Sequence, residues 1–314
     1  MRNTVTDVLR RSFDITLANW PLILIRIAEA VVLTMICIVS GIVAIVPLLV
    51  SAGFSKDDIS RTANPAEAVA ALLVGHWMLL AYLILFVTFV AGLIMALHSF
   101  VQGGSAQIYV DAERGSGRAS SPVDRSRFAA FRMDRWMLGG RKSWRSIFWI
   151  YNLGGSVGAL IILIPLLLTI AAMVLLGDAQ GKIIAGCAGL LLALLVLLPV
   201  GIIVSMWCEK AIAVTVARAA SPRDSLRAAW AEMKADFGRH FAVAILITIA
   251  GFVLFGAMSA LSFPMAMGSR NSNLPMLSLM FAPVQIAMTL IQGAVSAVSS
   301  ALMLAAFVDL TEER

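Results

Sequence analysis

Arg26 and Glu29 stand three residues apart in the run Leu22–Val50, which carries no other charge. At that spacing two residues share one face of a helix. Charged groups inside an apolar span are expensive and tend to mark functional sites. Three kinds of chemistry suit the pair: a structural ion pair with each other or with another helix, the lining of a polar cavity, and a proton relay. The long Arg26 side chain can snorkel to a nearby interface, whereas Glu29 lies one turn deeper. These two residues form the candidate intramembrane polar site.

A second group of charges recurs at the ends of later apolar runs: Glu113 with Arg114, Glu209 with Lys210, and Asp309. These five residues read either as ordinary interfacial charge or as a rim that grips a headgroup or a partner. The histidines offer little metal chemistry. His76 and His98 are 22 residues apart, about 33 Å along a helix, and His240 is alone. No HExxH pattern occurs, and Cys37, Cys187 and Cys208 form no CxxC. No cofactor is expected. The "GDAQGK" turn at 177–182 lacks phosphate-loop spacing, and no GxSxG nucleophile motif is present. No catalytic residue is assigned.

The elements that must position these groups are membrane helices. Charged residues make up 13% of the chain, about half the usual share of a soluble domain. Uncharged runs cover 30–55, 68–110, 146–177, 183–208, 240–269 and 271–308. Each exceeds the roughly 20 residues that cross the hydrocarbon core as a helix. The expected class is all-α, polytopic, with six transmembrane helices at roughly 22–50, 70–100, 147–176, 183–208, 241–267 and 276–306. The first run is too long for a signal-peptide core, so an uncleaved first span is expected.

Of the 24 Lys and Arg residues, 19 fall in the N-terminal arm, the segments 114–145 and 210–239, and the C-terminal tail. An excess of positive loops marks the cytoplasmic side. Both termini are therefore expected in the cytoplasm and the chain in the inner membrane. The net charge of +6 reads as attraction to anionic lipid headgroups at that face, not as a nucleic-acid surface.

The segment 221–230, "SPRDSLRAAW", carries a helix start: Ser221 as cap, Pro222 at the first position and Asp224 three residues after the cap. Leu226, Trp230, Met233 and Phe237 then give an apolar stripe. Such a helix lies in the headgroup plane before the chain turns inward. Thr4 and Asp7 repeat the cap 217 residues earlier, with Leu9, Phe13, Thr16 and Trp20 as the stripe. Ser121, Pro122 and Asp124 give a third copy, with Gly139 and Gly140 expected to interrupt its helix. Trp20, Trp144, Trp230 and Phe237 are the expected interfacial anchors. The reading is one membrane domain, 1–314, built from three repeats at about 4–105, 121–210 and 221–308. Each is an amphipathic elbow followed by a two-span hairpin.

The runs "GGSAQIYVDAERG" at 103–115 and "EKAIAVTVARAASPRDSLRAAW" at 209–230, together with the elbow-plus-hairpin plan, carry a resemblance. The chain resembles a family of bacterial polytopic membrane proteins without an assigned activity. It is similar to the membrane domain that precedes the catalytic domain of some glycerophosphodiester phosphodiesterases. This sequence has no room for that barrel and no metal-binding cluster of acids and histidines, so the resemblance implies no phosphodiesterase activity. The leading expectation is a non-enzymatic membrane module in assembly, export or envelope maintenance, with a membrane protein partner or a second copy. The alternatives are a transporter or lipid-handling protein with a cavity near Glu29 and, last, a membrane-embedded enzyme.

Overall fold

The computed structural model describes residues 4–51, 77–116, 125–175, 179–271 and 275–312. Among them are eight α-helices: α1 (Val5–Ala18), α2 (Pro21–Ser51), α3 (Trp77–Ser116), α4 (Met133–Leu175), α5 (Ala179–Arg218), α6 (Pro222–Ala235), α7 (Phe237–Asn271) and α8 (Pro275–Glu312). One 3₁₀ turn spans Arg125–Phe128. Six of the helices are long and apolar enough to cross a membrane, and the protein is a six-span helical membrane protein. They outrun the bilayer. α4, at 43 residues, is about 65 Å long at 1.5 Å per residue, roughly twice the hydrocarbon thickness. The runs 103–115 and 209–218 therefore continue α3 and α5 without a break.

The two short helices form where local capping predicts them. At the start of α1, Thr4 Oγ1 accepts from the Asp7 N–H at 3.2 Å, and Asp7 Oδ2 accepts from the Thr4 N–H at 2.9 Å. This reciprocal pair satisfies two donors that have no intrahelical acceptor. Asn19 ends the helix. Its side-chain amide donates to the Ile15 and Phe128 carbonyls, and its Oδ1 accepts from the Ala130 N–H. At α6, Ser221 Oγ accepts from the Asp224 N–H, Pro222 follows, and the helix stops at Asp236.

The stripes on these helices need correction. On α1 the buried face is Val8, Ser12, Ile15, Thr16 and Asn19, while Phe13 and Trp20 point outward. On α6, Leu226, Ala229 and Met233 are buried but Trp230 is exposed, and Phe237, the first residue of α7, is exposed as well. The side of α1 away from the bundle carries Phe13 and Leu17, with Trp20 just beyond it, while the outer side of α6 is charged apart from Trp230 and alanines.

The middle segment departs further. The expected cap at Ser121–Asp124 lies outside the described residues. No break occurs at Gly139 and Gly140, because α4 runs through both. A glycine costs a helix about 1 kcal/mol relative to alanine, and close packing explains its use here. A Cβ on Gly104 would lie 2.5 Å from the Trp136 ring and 2.7 Å from the Trp136 carbonyl oxygen. One on Gly140 would lie 2.9 Å from the Phe100 carbonyl oxygen, and one on Gly139 would strike Gln107. Two Gly-Gly pairs thus let α3 and α4 cross almost backbone to backbone.

The chain divides into two compact units, Met1–Ile27 with Ser99–Arg314, and Ala28–His98. In the larger unit the packed core gathers at the charged ends of the spans. Ile15, Tyr109, Phe128, Ile147, Ile212 and Phe307 are each at most 1% exposed there. Half of the span Pro199–Arg218 is buried, against 22% of Phe237–Ala257. In the smaller unit, Met35, Ile42, Leu85 and Phe89 are exposed, as suits side chains that face lipid.

Candidate functional site

The charged group expected as a rim lies at the C-terminal ends of α3, α5 and α8, and most of it is internal. Glu113, Glu209, Lys210 and Asp309 are all buried, Lys210 completely. Isolated buried charges would be prohibitive, and two partners from the short helices make Glu113, Asp309 and Lys210 tolerable. Arg11 of α1 donates from Nε to both oxygens of Glu113 at 3.0 Å and from Nη2 to Oε2 at 2.5 Å. The same guanidinium lies 3.4 Å from Asp309 Oδ1 and sits over the Phe128 ring. Lys210 Nζ donates to Thr311 Oγ1 at 2.8 Å and lies 3.1 Å from Glu232 Oε2 on α6. Arg218 holds the other Glu232 oxygen at 2.8 Å. Burial pushes the Glu232 pKa up, but the Lys210 charge, its hydrogen bond and Arg218 outweigh it and hold the carboxyl below 4.5.

These contacts anchor α1 on α3 and α8, and α6 on α5. Arg114 differs from its neighbours: it is exposed and binds Glu312 and the Ala217 carbonyl. Arg11, Glu232 and Thr311 were missed as site residues. A weak signal existed, since Arg11 follows Val8 by three and Glu232 follows Ala229 by three, which puts each charge on the buried face of its helix.

Arg26 and Glu29 each find a partner on α3. Arg26 donates to Gln102 Oε1, with both side chains buried. Glu29 Oε1 lies 2.7 Å from His98 Nδ1, the carboxylate buried and the imidazole partly exposed. His98 was read only for metal binding. Its role as the partner of Glu29 had no local signal.

Trp20, Trp230 and Phe237 are exposed, and Trp144 is half-buried under the Arg145 guanidinium. Trp230 stands edge-on to Trp207, whose indole N–H donates to the Leu226 carbonyl at 2.8 Å.

A crevice of about 340 Å³ opens between α5, α7 and α8. Glu209, Ser205, Thr248, Ser299 and Ser300 give it polar lining, and Phe252 an apolar wall. Among the described residues no three His, Cys, Asp or Glu side chains are placed to hold a metal ion.

No protein-family model, no curated protein and no solved structure matches the chain.

Proposed function

We propose that the chain is a non-enzymatic membrane module of the bacterial inner membrane, with both termini in the cytoplasm, acting in assembly, export or envelope maintenance. It is built from three elbow-plus-hairpin units at about 4–105, 121–210 and 221–308. It resembles the membrane domain of some glycerophosphodiester phosphodiesterases. The observation that carries this reading is the use of the buried charges. Arg11–Glu113 and Lys210–Glu232 fasten short amphipathic helices to the span ends, which makes a rigid platform of the end rich in Lys and Arg. The outward Phe13, Trp20 and Trp230 leave that platform able to meet lipid or a membrane protein partner, a second copy included.

Two measurements test this. Single cysteines at positions 141, 227 and 270, in a background without Cys37, Cys187 and Cys208, should label from the cytoplasm at the first two and from outside at the third. Labelling of 141 and 227 from opposite sides would end the proposal. Purification in mild detergent should retain one membrane protein in fixed stoichiometry, or yield a homo-oligomer. A chain that stays monomeric and alone under crosslinking in native membranes would remove the partner.

The crevice at Glu209 favours a second reading, a lipid-handling protein. Its hydroxyls and carboxylate suit a polar group, and its phenylalanine wall suits a chain. Glu209→Gln in a lipid-transfer assay between vesicles tests it, and unchanged transfer would discard it.

A further inference from the structure

We propose that a crevice between α4, α5 and α6 is a binding site for one anionic phospholipid, with Arg223 and Arg227 receiving its phosphate. The crevice measures about 330 Å³ and is lined by Leu153 and Val157 of α4, Trp207 of α5, and Arg223, Leu226, Arg227 and Trp230 of α6. This goes beyond the module reading, which brings the face to lipid but assigns no binding site on it.

Charge is the first argument. Arg223 and Arg227 are one turn apart on α6 and both exposed. Among the described residues neither makes an ion pair or a side-chain hydrogen bond, and both line the crevice. The nearby acids are engaged elsewhere: Asp224 accepts from the Ser221 hydroxyl at 2.6 Å, and Glu232 holds Lys210 and Arg218. Two unengaged guanidiniums at one helical turn offer paired donors to a phosphodiester.

Shape is the second. Below the arginines the walls are apolar, with Leu153 and Val157 a turn apart on a spanning helix and both partly exposed. Leu160 and Ile164 continue outward-facing apolar surface along α4. The volume lies at the low end for ligand pockets, and suits a headgroup with the first carbons of its chains, the remainder following α4. The Trp207–Trp230 pair supplies amphipathic rings at the level where headgroup gives way to chain. A free phosphate would use the arginines alone, whereas a phospholipid uses both halves of the crevice.

The test uses the full chain purified in nonionic detergent, with lipid adducts counted by native mass spectrometry. Dioleoyl phosphatidylglycerol should bind the wild type at a stoichiometry of one more tightly than dioleoyl phosphatidylcholine. R223Q/R227Q should weaken phosphatidylglycerol by roughly tenfold or more, the loss of two charge-assisted contacts, and leave phosphatidylcholine unchanged. L153W, which fills the apolar half, should weaken phosphatidylglycerol too. R141Q/K142Q removes the same charge from exposed positions of α4 and should change binding by less than about twofold. Inorganic phosphate at millimolar concentration should not displace the lipid. Thermal unfolding checks that the exposed-arginine variant remains folded. An equal loss in R141Q/K142Q would show a general charge effect. Displacement by inorganic phosphate would show an anion site, and retained binding in R223Q/R227Q would show no site. Any of the three overturns the proposal.

Discussion

The buried Lys210–Glu232 pair gives the sharpest energetic test. Lys210 is fully buried, Glu232 is nearly so, and their charged atoms are 3.1 Å apart. At an effective dielectric of 20 the gross attraction is about 5 kcal/mol, most of it offset by desolvation. Breaking one side of such a pair costs about 3–5 kcal/mol because the other charge is left buried. Glu232→Gln removes that carboxylate and the Arg218 contact, but keeps the Thr311 hydroxyl on Lys210. The expected loss is therefore near the lower figure, about 3 kcal/mol. Lys210→Met leaves Glu232 with Arg218 and should cost about 1 kcal/mol. The double variant, with both charges gone and volume kept, should return to within about 1 kcal/mol of wild type. Its coupling energy would then be about −3 kcal/mol, well outside the error of such cycles. The assay is unfolding in mixed micelles titrated with sodium dodecyl sulfate, followed by tryptophan fluorescence and far-ultraviolet circular dichroism. A Glu232→Gln loss below about 1 kcal/mol, or a double variant equal to the sum of the singles, refutes the pairing argument.

Arg11→Met strips a shared cation from two buried carboxylates, Glu113 and Asp309, and should cost about 3 kcal/mol in the same assay. Arg11→Lys should recover only part of it, since one ammonium cannot reproduce the forked contact to Glu113. Gly104→Ala and Gly140→Ala push a methyl to within 2.7 and 2.9 Å of a facing carbonyl oxygen and should each cost about 1–3 kcal/mol. Gly41→Ala and Gly92→Ala meet nothing within 4 Å and should be neutral or gain up to about 1 kcal/mol. Because the folded pKa of Glu232 is held below 4.5, its contribution is present above that unfolded value and lost as pH falls through the lower folded one. Acid unfolding should therefore show a step below pH 4.5 that Glu232→Gln abolishes.

Local chemistry was legible in the sequence wherever it is self-contained. A backbone in hydrocarbon must bond to itself, so uncharged runs such as 146–177 and 240–269 announce their helices. Thr4 with Asp7 and Ser221 with Asp224 fix their helix starts within four residues. Relations across the chain were not legible. Gly139 and Gly140 looked like a break because the facing Gly103 and Gly104 lie more than thirty residues away. The expected stripe Leu9, Phe13, Thr16 and Trp20 mixes the buried Thr16 with the exposed Phe13 and Trp20, because hydrophobicity alone cannot separate a face that meets protein from one that meets lipid. Glu113, Glu209, Lys210 and Asp309 were placed at span ends but not inside the protein, since Arg11 is 102 residues from Glu113. Burial of the group requires both partners to be known.

The position of the core follows from the change of solvent along each helix. Between two helices in lipid, apolar side chains gain little by leaving tails as apolar as themselves. Leu85, Phe89, Leu160 and Phe252 can therefore remain exposed without penalty. Where α3, α5 and α8 run past the hydrocarbon, water restores the hydrophobic drive at about 25 cal/mol per Å². Ile108, Ile212, Leu304 and Phe307 must be covered there, and each is completely buried. The bundle has few side chains to spare for that cover, because the spans themselves are committed to lipid. α1 and α6 supply it with Val8, Ile15, Leu226 and Met233, and each brings an ion to neutralise a span-end charge. A helix that spends one face covering the span ends still has to solvate the other. The exposed Trp20 and Trp230 are amphipathic rings that suit a membrane surface, so the same two segments that close the core also set bulky apolar groups on its outer side.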